Sequence, residues 1–147
     1  MSKIEQDVEQ YNRNRDVSDW KTEAMKEHDG RPGRAEDKEA IEWCEGKYPE
    51  MTTEYKRISD LQYVTFCKKH RNYGCGNINV GTSLETAEDV KLALTGLWFR
   101  MNDKVQRLKQ LVVMGEPDVV GEALEDTYQD LSVYGIIAQL VQKKRFK

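Results

Sequence analysis

Three carboxylates recur at four-residue intervals near the end of the chain, at Glu122, Asp126 and Asp130. On a helix this spacing stacks the side chains along one face, where like charges cost about 0.2–0.5 kcal/mol per pair. A facing cation is therefore expected. Mg²⁺ is one answer, because it prefers carboxylate oxygens and water and commonly binds together with substrate phosphates. The alternative is a ladder of interhelical ion pairs to basic residues of the preceding helix, namely Arg100, Lys104 or Arg107.

A segment of mixed charge precedes these carboxylates and contains Asp103, Lys104 and Arg107. Asp103 is a candidate for a further metal ligand. Lys104 and Arg107 are candidates for phosphate contacts, Arg through two parallel hydrogen bonds and Lys as a point charge. The alternative is that all three are surface charges that keep a long helix soluble.

A basic segment, Lys68-Lys69-His70-Arg71, runs into Asn72, Tyr73 and Gly74. Cations ahead of a glycine-containing loop could recognise an anion, with Lys69 on a phosphate and Tyr73 stacked on a base. The alternative is electrostatic, since positive residues near the C-terminus of a helix favourably oppose its dipole.

These candidate residues are expected to be positioned by helices. Apolar side chains recur every three or four positions from Thr53 onward, and the alternation of apolar and polar residues typical of a strand does not occur. The pattern predicts helices over 3–28, 35–46 and 53–71, followed by a loop that reaches Gly81. Thr82-Ser83-Leu84-Glu85 matches a capping box and predicts the start of a long helix that ends at Gly115. Asp118 is predicted to cap a last helix. The expected fold is all-α, an antiparallel helical bundle with a charged N-terminal helical arm.

Composition limits the domain count and the classes of partner. The 147 residues suffice for one core, and 33% of them are charged. Residues 1–50 hold nine Lys or Arg against fourteen Asp or Glu, so they are predicted to form an acidic arm, helical or partly mobile, ahead of a core over 51–147. This balance argues against general nucleic-acid binding. The absence of an apolar run of about 18 residues argues against a membrane span and favours the cytoplasm.

Several enzyme classes lack their sequence signatures in this chain. Neither a Walker A loop nor a G-x-G-x-x-G turn occurs, which argues against P-loop and Rossmann proteins. His28 and His70 are far apart, and no H-E-x-x-H or G-x-S-x-G motif accompanies them. The three cysteines match no two-by-two zinc framework.

Three segments together resemble one known family. KHRNYG, ending at Gly74, resembles its "K, spacer, D/N-Y-G" element, and Asp103-Lys104 with Arg107 resembles its "DK/K-x-x-R" helix. EALEDTYQDLSVY, from Glu122 to Tyr134, resembles its "E-S-x-x-D-x-x-x-D-L-x-N-Y" helix. The family is the nucleotide-modification-associated domain, first of its numbered series, found largely in phages. Three departures replace polar or acidic residues common in the family: Asn72, Ala123 and Val133.

The resemblance spans about residues 53–142 and implies phage nucleotide metabolism or DNA-base modification. A more distant similarity is to MazG-type all-α nucleotide pyrophosphohydrolases, in which acidic residues on neighbouring helices hold Mg²⁺ around a phosphate chain. Their final acidic motif spaces Glu and Asp by three, whereas Asp126 and Asp130 are four apart.

The leading hypothesis is Mg²⁺-dependent hydrolysis of a deoxynucleotide phosphoanhydride. Its metal ligands would be Asp103, Glu122, Asp126 and Asp130, the last three also acting on the attacking water. Substrate would be held by Lys69, Tyr73, Gly74, Lys104, Arg107 and Tyr134. The alternatives are a noncatalytic protein that binds a nucleotide or a host protein, and an accessory subunit in DNA-base modification.

The assembly expected from the sequence is a homo-oligomer, most simply a dimer. The aromatic residues Trp98, Phe99, Tyr128 and Tyr134 exceed what one thin bundle covers. A host or phage protein partner is a further possibility. If the chain is phage-encoded, the compartment is the host cytoplasm.

Overall fold

The computed structural model describes residues 35–147 and, ahead of them, Gln6 alone. The described residues form helices and their connections with no β-strand among them, so the predicted all-α class is confirmed there. The predicted helix over 3–28 lies outside the described residues, Gln6 excepted. The helices are α1 (Ala35–Lys47), α2 (Pro49–Tyr73), α3 (Gly76–Asn79), α4 (Ala87–Leu108) and α5 (Leu124–Gln142), and a π-helical segment, Lys109–Val113, extends α4.

The chain separates into two compact units, Met1–Thr65 and Phe66–Lys147, and the division falls inside α2. The domain boundary predicted at residue 50 stays a prediction. In the first unit, the ring of Trp43 in α1 makes an edge-to-face contact with the ring of Tyr48, the residue between α1 and α2, and the centroids lie 6.0 Å apart. An ion pair between Glu45 and Lys56 joins the same two helices.

The second unit is organised around an antiparallel pair formed by α4 and α5. Lys144, just beyond the end of α5, donates through Nζ to the carbonyl of Glu85, just before α4, at 2.6 Å. Arg107, near the end of α4, donates to Thr127, near the start of α5, at 2.5 Å. The start of each helix therefore lies beside the end of the other. The buried apolar core comprises Ile78, Leu84, Ala93, Leu97, Ile137, Val141 and Phe146.

The segment predicted as a loop up to Gly81 contains one short helix, α3, and that prediction was wrong in this detail. Burial explains the extra turn. Ile78 is part of the core, and the side-chain amide of buried Asn79 donates to the carbonyl of Phe146 at 2.7 Å. Burial of Ile78 and a hydrogen bond between residues 67 positions apart thus fix a turn that the local sequence does not predict.

The capping box that starts α4 lies four residues later than predicted. Thr86 Oγ1 accepts from the backbone N–H of Asp89 at 3.1 Å, and an Asp89 carboxylate oxygen accepts from the Thr86 N–H at 3.3 Å. Thr82 instead donates its hydroxyl to the carbonyl of Asn79. Between the two threonines, Leu84 is fully buried at a φ of 59°, a left-handed conformation unusual for Leu. Core burial of Leu84 therefore sets where α4 can begin.

The last helix also begins later than predicted. Asp118 does not cap it, because its Oδ1 accepts from the N–H groups of Val120 and Gly121 at 3.1 and 3.3 Å and so closes a turn. The N-cap residue is Ala123, which has no capping side chain. Gly115, at a φ of 71°, marks the predicted end of the preceding helical run. No described helix is long and apolar enough to cross a bilayer.

Replacing Thr86 by Ala should lower the free energy of unfolding by about 0.5–2 kcal/mol, because it leaves the first-turn N–H groups of α4 without their acceptor. Chemical denaturation followed by circular dichroism measures this loss. Ser83→Ala removes an exposed hydroxyl from the same connection and is the control. Equal stability of the two variants would contradict the observed position of the capping box.

A polar cluster between two antiparallel helices

Five of the predicted site residues come together where the end of α4 meets the start of α5. They form, with two further residues, what we call the polar cluster: Lys69, Lys104, Arg107, Asp118, Glu122, Thr127 and Asp130. All seven belong to the second compact unit. The structure therefore contains the predicted ion pairs between the carboxylates Glu122 and Asp130 and the basic residues Lys104 and Arg107. Arg100 is not part of them, because it donates to the carbonyl of Asn77.

Arg107 ties the end of α4 to the chain before and within α5. Its guanidinium donates to Thr127 Oγ1 at 2.5 Å, to the Glu122 carbonyl at 2.7 Å and to an Asp118 carboxylate oxygen at 3.2 Å. The Glu122 carboxylate lies 3.9 Å from Nε. Thr127 is fully buried, so its hydroxyl lies at the buried end of the hydrogen bonds that Arg107 makes. With so many acceptors engaged, the guanidinium acts first as a structural clamp.

Lys104 bridges two carboxylates. Its ammonium lies 2.9 Å from Asp130 Oδ2 and 3.2 Å from Glu122 Oε1. The hydrogen bond that Lys104 donates to Asp130, followed by the one that it donates to Glu122, raises the pKa of Lys104 above its usual 10.5 against the opposing effect of burial. The lysine therefore stays charged throughout the physiological pH range.

Lys69 adds a looser contact from α2. Its ammonium lies 3.8 Å from Asp130 Oδ1, and 61% of its side chain is exposed. Tyr73 follows one helical turn later and is also exposed, so the two lie on the same face of α2. Gly74 ends that helix at a φ of 64°, its N–H bonded to the carbonyl of His70 at 2.8 Å. The basic segment thus has the helix-terminal position expected from the dipole argument.

The three carboxylates do not form one helical row. Glu122 precedes α5, which starts at Leu124, so the predicted stacking at four-residue steps was wrong for this residue. Asp126 and Asp103 are exposed, on α5 and α4. In the part of the chain described, the bonds that link the cluster include none from these two side chains. Tyr134 is half-buried against the apolar core.

The predicted metal site fits the structure only in part. Among the described residues, no three His, Cys, Asp or Glu side chains lie close enough together to hold an ion. The predicted set Asp103, Glu122, Asp126 and Asp130 is therefore not assembled. Glu122 and Asp130 do converge, because each has an oxygen within 3.2 Å of the Lys104 ammonium. Mg²⁺ is commonly held by one or two carboxylates plus substrate phosphates, and binding of Mg²⁺ by this pair stays a prediction.

Compared with known proteins, the chain matches no protein-family model, no curated protein and no solved structure. The resemblance to the nucleotide-modification-associated domain therefore rests on the three quoted segments. Two of these segments contribute to the cluster through Lys104, Arg107, Glu122 and Asp130, and the third through Lys69.

Two members of the cluster were not recognised as members from the sequence. Asp118 was predicted to be a helix cap, yet its carboxylate is shared between a turn and Arg107, and the N–H groups of that turn hold its pKa below the ordinary value. The membership of Thr127 in the cluster could have been predicted from the sequence. This residue lies on the buried stripe of α5 that continues to Ile137 and Val141, where a polar side chain requires a bonding partner.

Thr127→Val keeps the shape of the side chain but removes the acceptor for Arg107. We expect the free energy of unfolding to fall by about 1–3 kcal/mol, because a partly buried donor of Arg107 loses its acceptor. Thr53→Val, at an exposed position of α2, is the matched control and should change stability by less than about 0.5 kcal/mol. Equal melting temperatures for both variants would show that the Arg107–Thr127 bond contributes nothing.

Proposed function

We propose that the polar cluster is a nucleotide-phosphate site and that the chain acts in phage nucleotide metabolism, in the host cytoplasm. The proposed reaction is Mg²⁺-assisted hydrolysis of a deoxynucleotide phosphoanhydride. The observation that supports it is the convergence of Glu122 and Asp130 on Lys104, with exposed Lys69 beside Asp130. Carboxylates for a metal and ammonium groups for phosphate oxygens are the two ingredients of such a site.

In this proposal the residues divide into two roles. Lys69 and Lys104 are the groups that contact phosphate, since an incoming anion can replace Asp130 as the partner of Lys69. Arg107 acts as a positioning residue, because its bonds to Thr127 and to the Glu122 carbonyl fix where the Glu122 carboxylate points. Tyr73, one turn from Lys69, presents its ring for stacking on the base.

Glu122 and Asp130 would hold Mg²⁺. The bound ion would neutralise phosphate charge and make water more acidic. A carboxylate of the pair would accept the proton that the attacking water loses. The products would be those of water adding across a phosphoanhydride: two phosphate-bearing fragments and one released proton.

A noncatalytic nucleotide binder is the second candidate, and a specific observation favours it. The charged side chains of the cluster already neutralise one another, as in a network whose role is structural. A binder of this kind would contact its nucleotide through Lys69 and Tyr73 alone. Among the predicted substrate-binding residues, these are the two that are mostly exposed. The host or phage protein partner expected from the sequence stays a prediction.

The full chain should be incubated with a panel of nucleoside mono-, di- and triphosphates, with and without Mg²⁺, and the products separated by chromatography. We expect turnover of a deoxynucleotide with Mg²⁺. Asp130→Asn should reduce it by about 10²–10⁴-fold, the range typical of general acid–base groups. Asp126→Asn is the matched control, one turn away on the same helix but exposed, and should retain activity.

Circular dichroism must show unchanged helicity for both variants. Loss of turnover in both would restore Asp126 to the site, as the sequence pattern predicted. Turnover unaffected by Asp130→Asn would contradict hydrolysis at the cluster. Saturable binding without product would favour the noncatalytic candidate.

A further inference from the structure

A second apolar face of α4 is left open by its packing on α5. Ala93 and Leu97 are buried and face the core. One residue further along, and so about 100° around the helix, lies a stripe that we call the α4 seam: Leu94, Trp98, Met101, Val105 and Leu108. Trp98 and Val105 are 59% and 49% exposed, and the other three are half-buried, with Leu94 packed against the apolar core.

The α4 seam has the spacing of a coiled-coil interface. Its residues follow one another at intervals of four, three, four and three, so that Trp98 and Val105 occupy a positions and the others d positions of a heptad. The N-terminal half is concave, with an open groove lined by Ala87, Val90, Lys91, Leu94, Thr95 and Trp98. Phe99 supports the indole of Trp98 by an edge-to-face contact, with the ring centroids 5.1 Å apart. A stripe of this kind requires a partner helix.

We infer that the partner is the α4 seam of a second copy, docked antiparallel across a twofold axis. In that register Trp98 packs on Met101 of the second copy, and Leu94 packs on Val105. Both layers repeat by symmetry, so one surface serves both subunits.

The charges that flank the α4 seam favour the same arrangement. At the e positions, Glu88 comes to face Lys109 of the second copy, and Thr95 comes to face Asn102. The first of these facing pairs joins opposite charges, and the second joins two neutral polar side chains. A parallel pair would instead stack Lys91 on Lys91 at an a position, which the antiparallel register avoids. This inference does not depend on the proposed catalytic activity.

Sedimentation equilibrium of the full chain across a micromolar concentration range tests the inference. We expect a dimer whose dissociation constant rises at least about tenfold in Val105→Lys, which corresponds to about 1.4 kcal/mol. Leu92→Lys is the control, because Leu92 is 48% exposed on the same helix but lies outside the α4 seam. A monomeric wild type, or equal weakening by both substitutions, would overturn the inference.

Charge exchange tests the orientation. Glu88→Lys and Lys109→Glu should each weaken the dimer, and the double variant should restore it, because opposite charges face each other again. Each protein must keep wild-type helicity by circular dichroism. A double variant that is weaker than either single variant would exclude the antiparallel register.

Discussion

The bonds that Arg107 makes with Thr127 and with the Glu122 carbonyl are the constraint on which the second unit depends. They hold the end of α4 against the chain that enters α5, and Lys104 extends the same junction to Asp130. At the opposite end, Lys144 bonds the carbonyl of Glu85. The helix pair is thus fastened at both ends by cations, while a small apolar core fills the middle. A charged fastening of this kind specifies register, because a shifted helix would leave a half-buried charge without its partner.

The small core has a consequence for the surface. Since α5 covers only one face of α4, large apolar side chains such as Trp98, Phe99 and Val105 stay exposed. These exposed apolar side chains are the basis of the proposed subunit interface. Lys104 of the cluster is three residues after Met101 and four before Leu108, so the cluster borders the α4 seam on the same helix.

Local sequence predicted the helices well and their ends less well. The helices over 35–46 and 53–71 lie within the observed α1 and α2, because apolar periodicity and breakers at Gly and Pro are local signals. The starts of α4 and α5 were misplaced, since burial of Leu84 and the bond between Arg107 and Asp118 are contacts that a local pattern does not contain. For the site, spacing identified Lys104, Arg107 and Asp130 as candidates, and the ion-pair ladder was one of the two arrangements expected. Spacing also grouped Asp126 with Asp130, which lies one turn further along α5, because a local pattern does not show that Asp126 is exposed and outside the ion pairs of the cluster.

A double-mutant cycle on Lys104→Met and Asp130→Asn tests most directly whether the cluster couples α4 to α5. Free energies of unfolding for the wild type, both single variants and the double variant give the coupling energy by chemical denaturation. Residues in one ion-pair network couple by about 0.5–3 kcal/mol, so the double variant should be less destabilised than the sum of the single variants by an amount in that range. Additivity within about 0.3 kcal/mol, the behaviour of independent sites, would contradict the account.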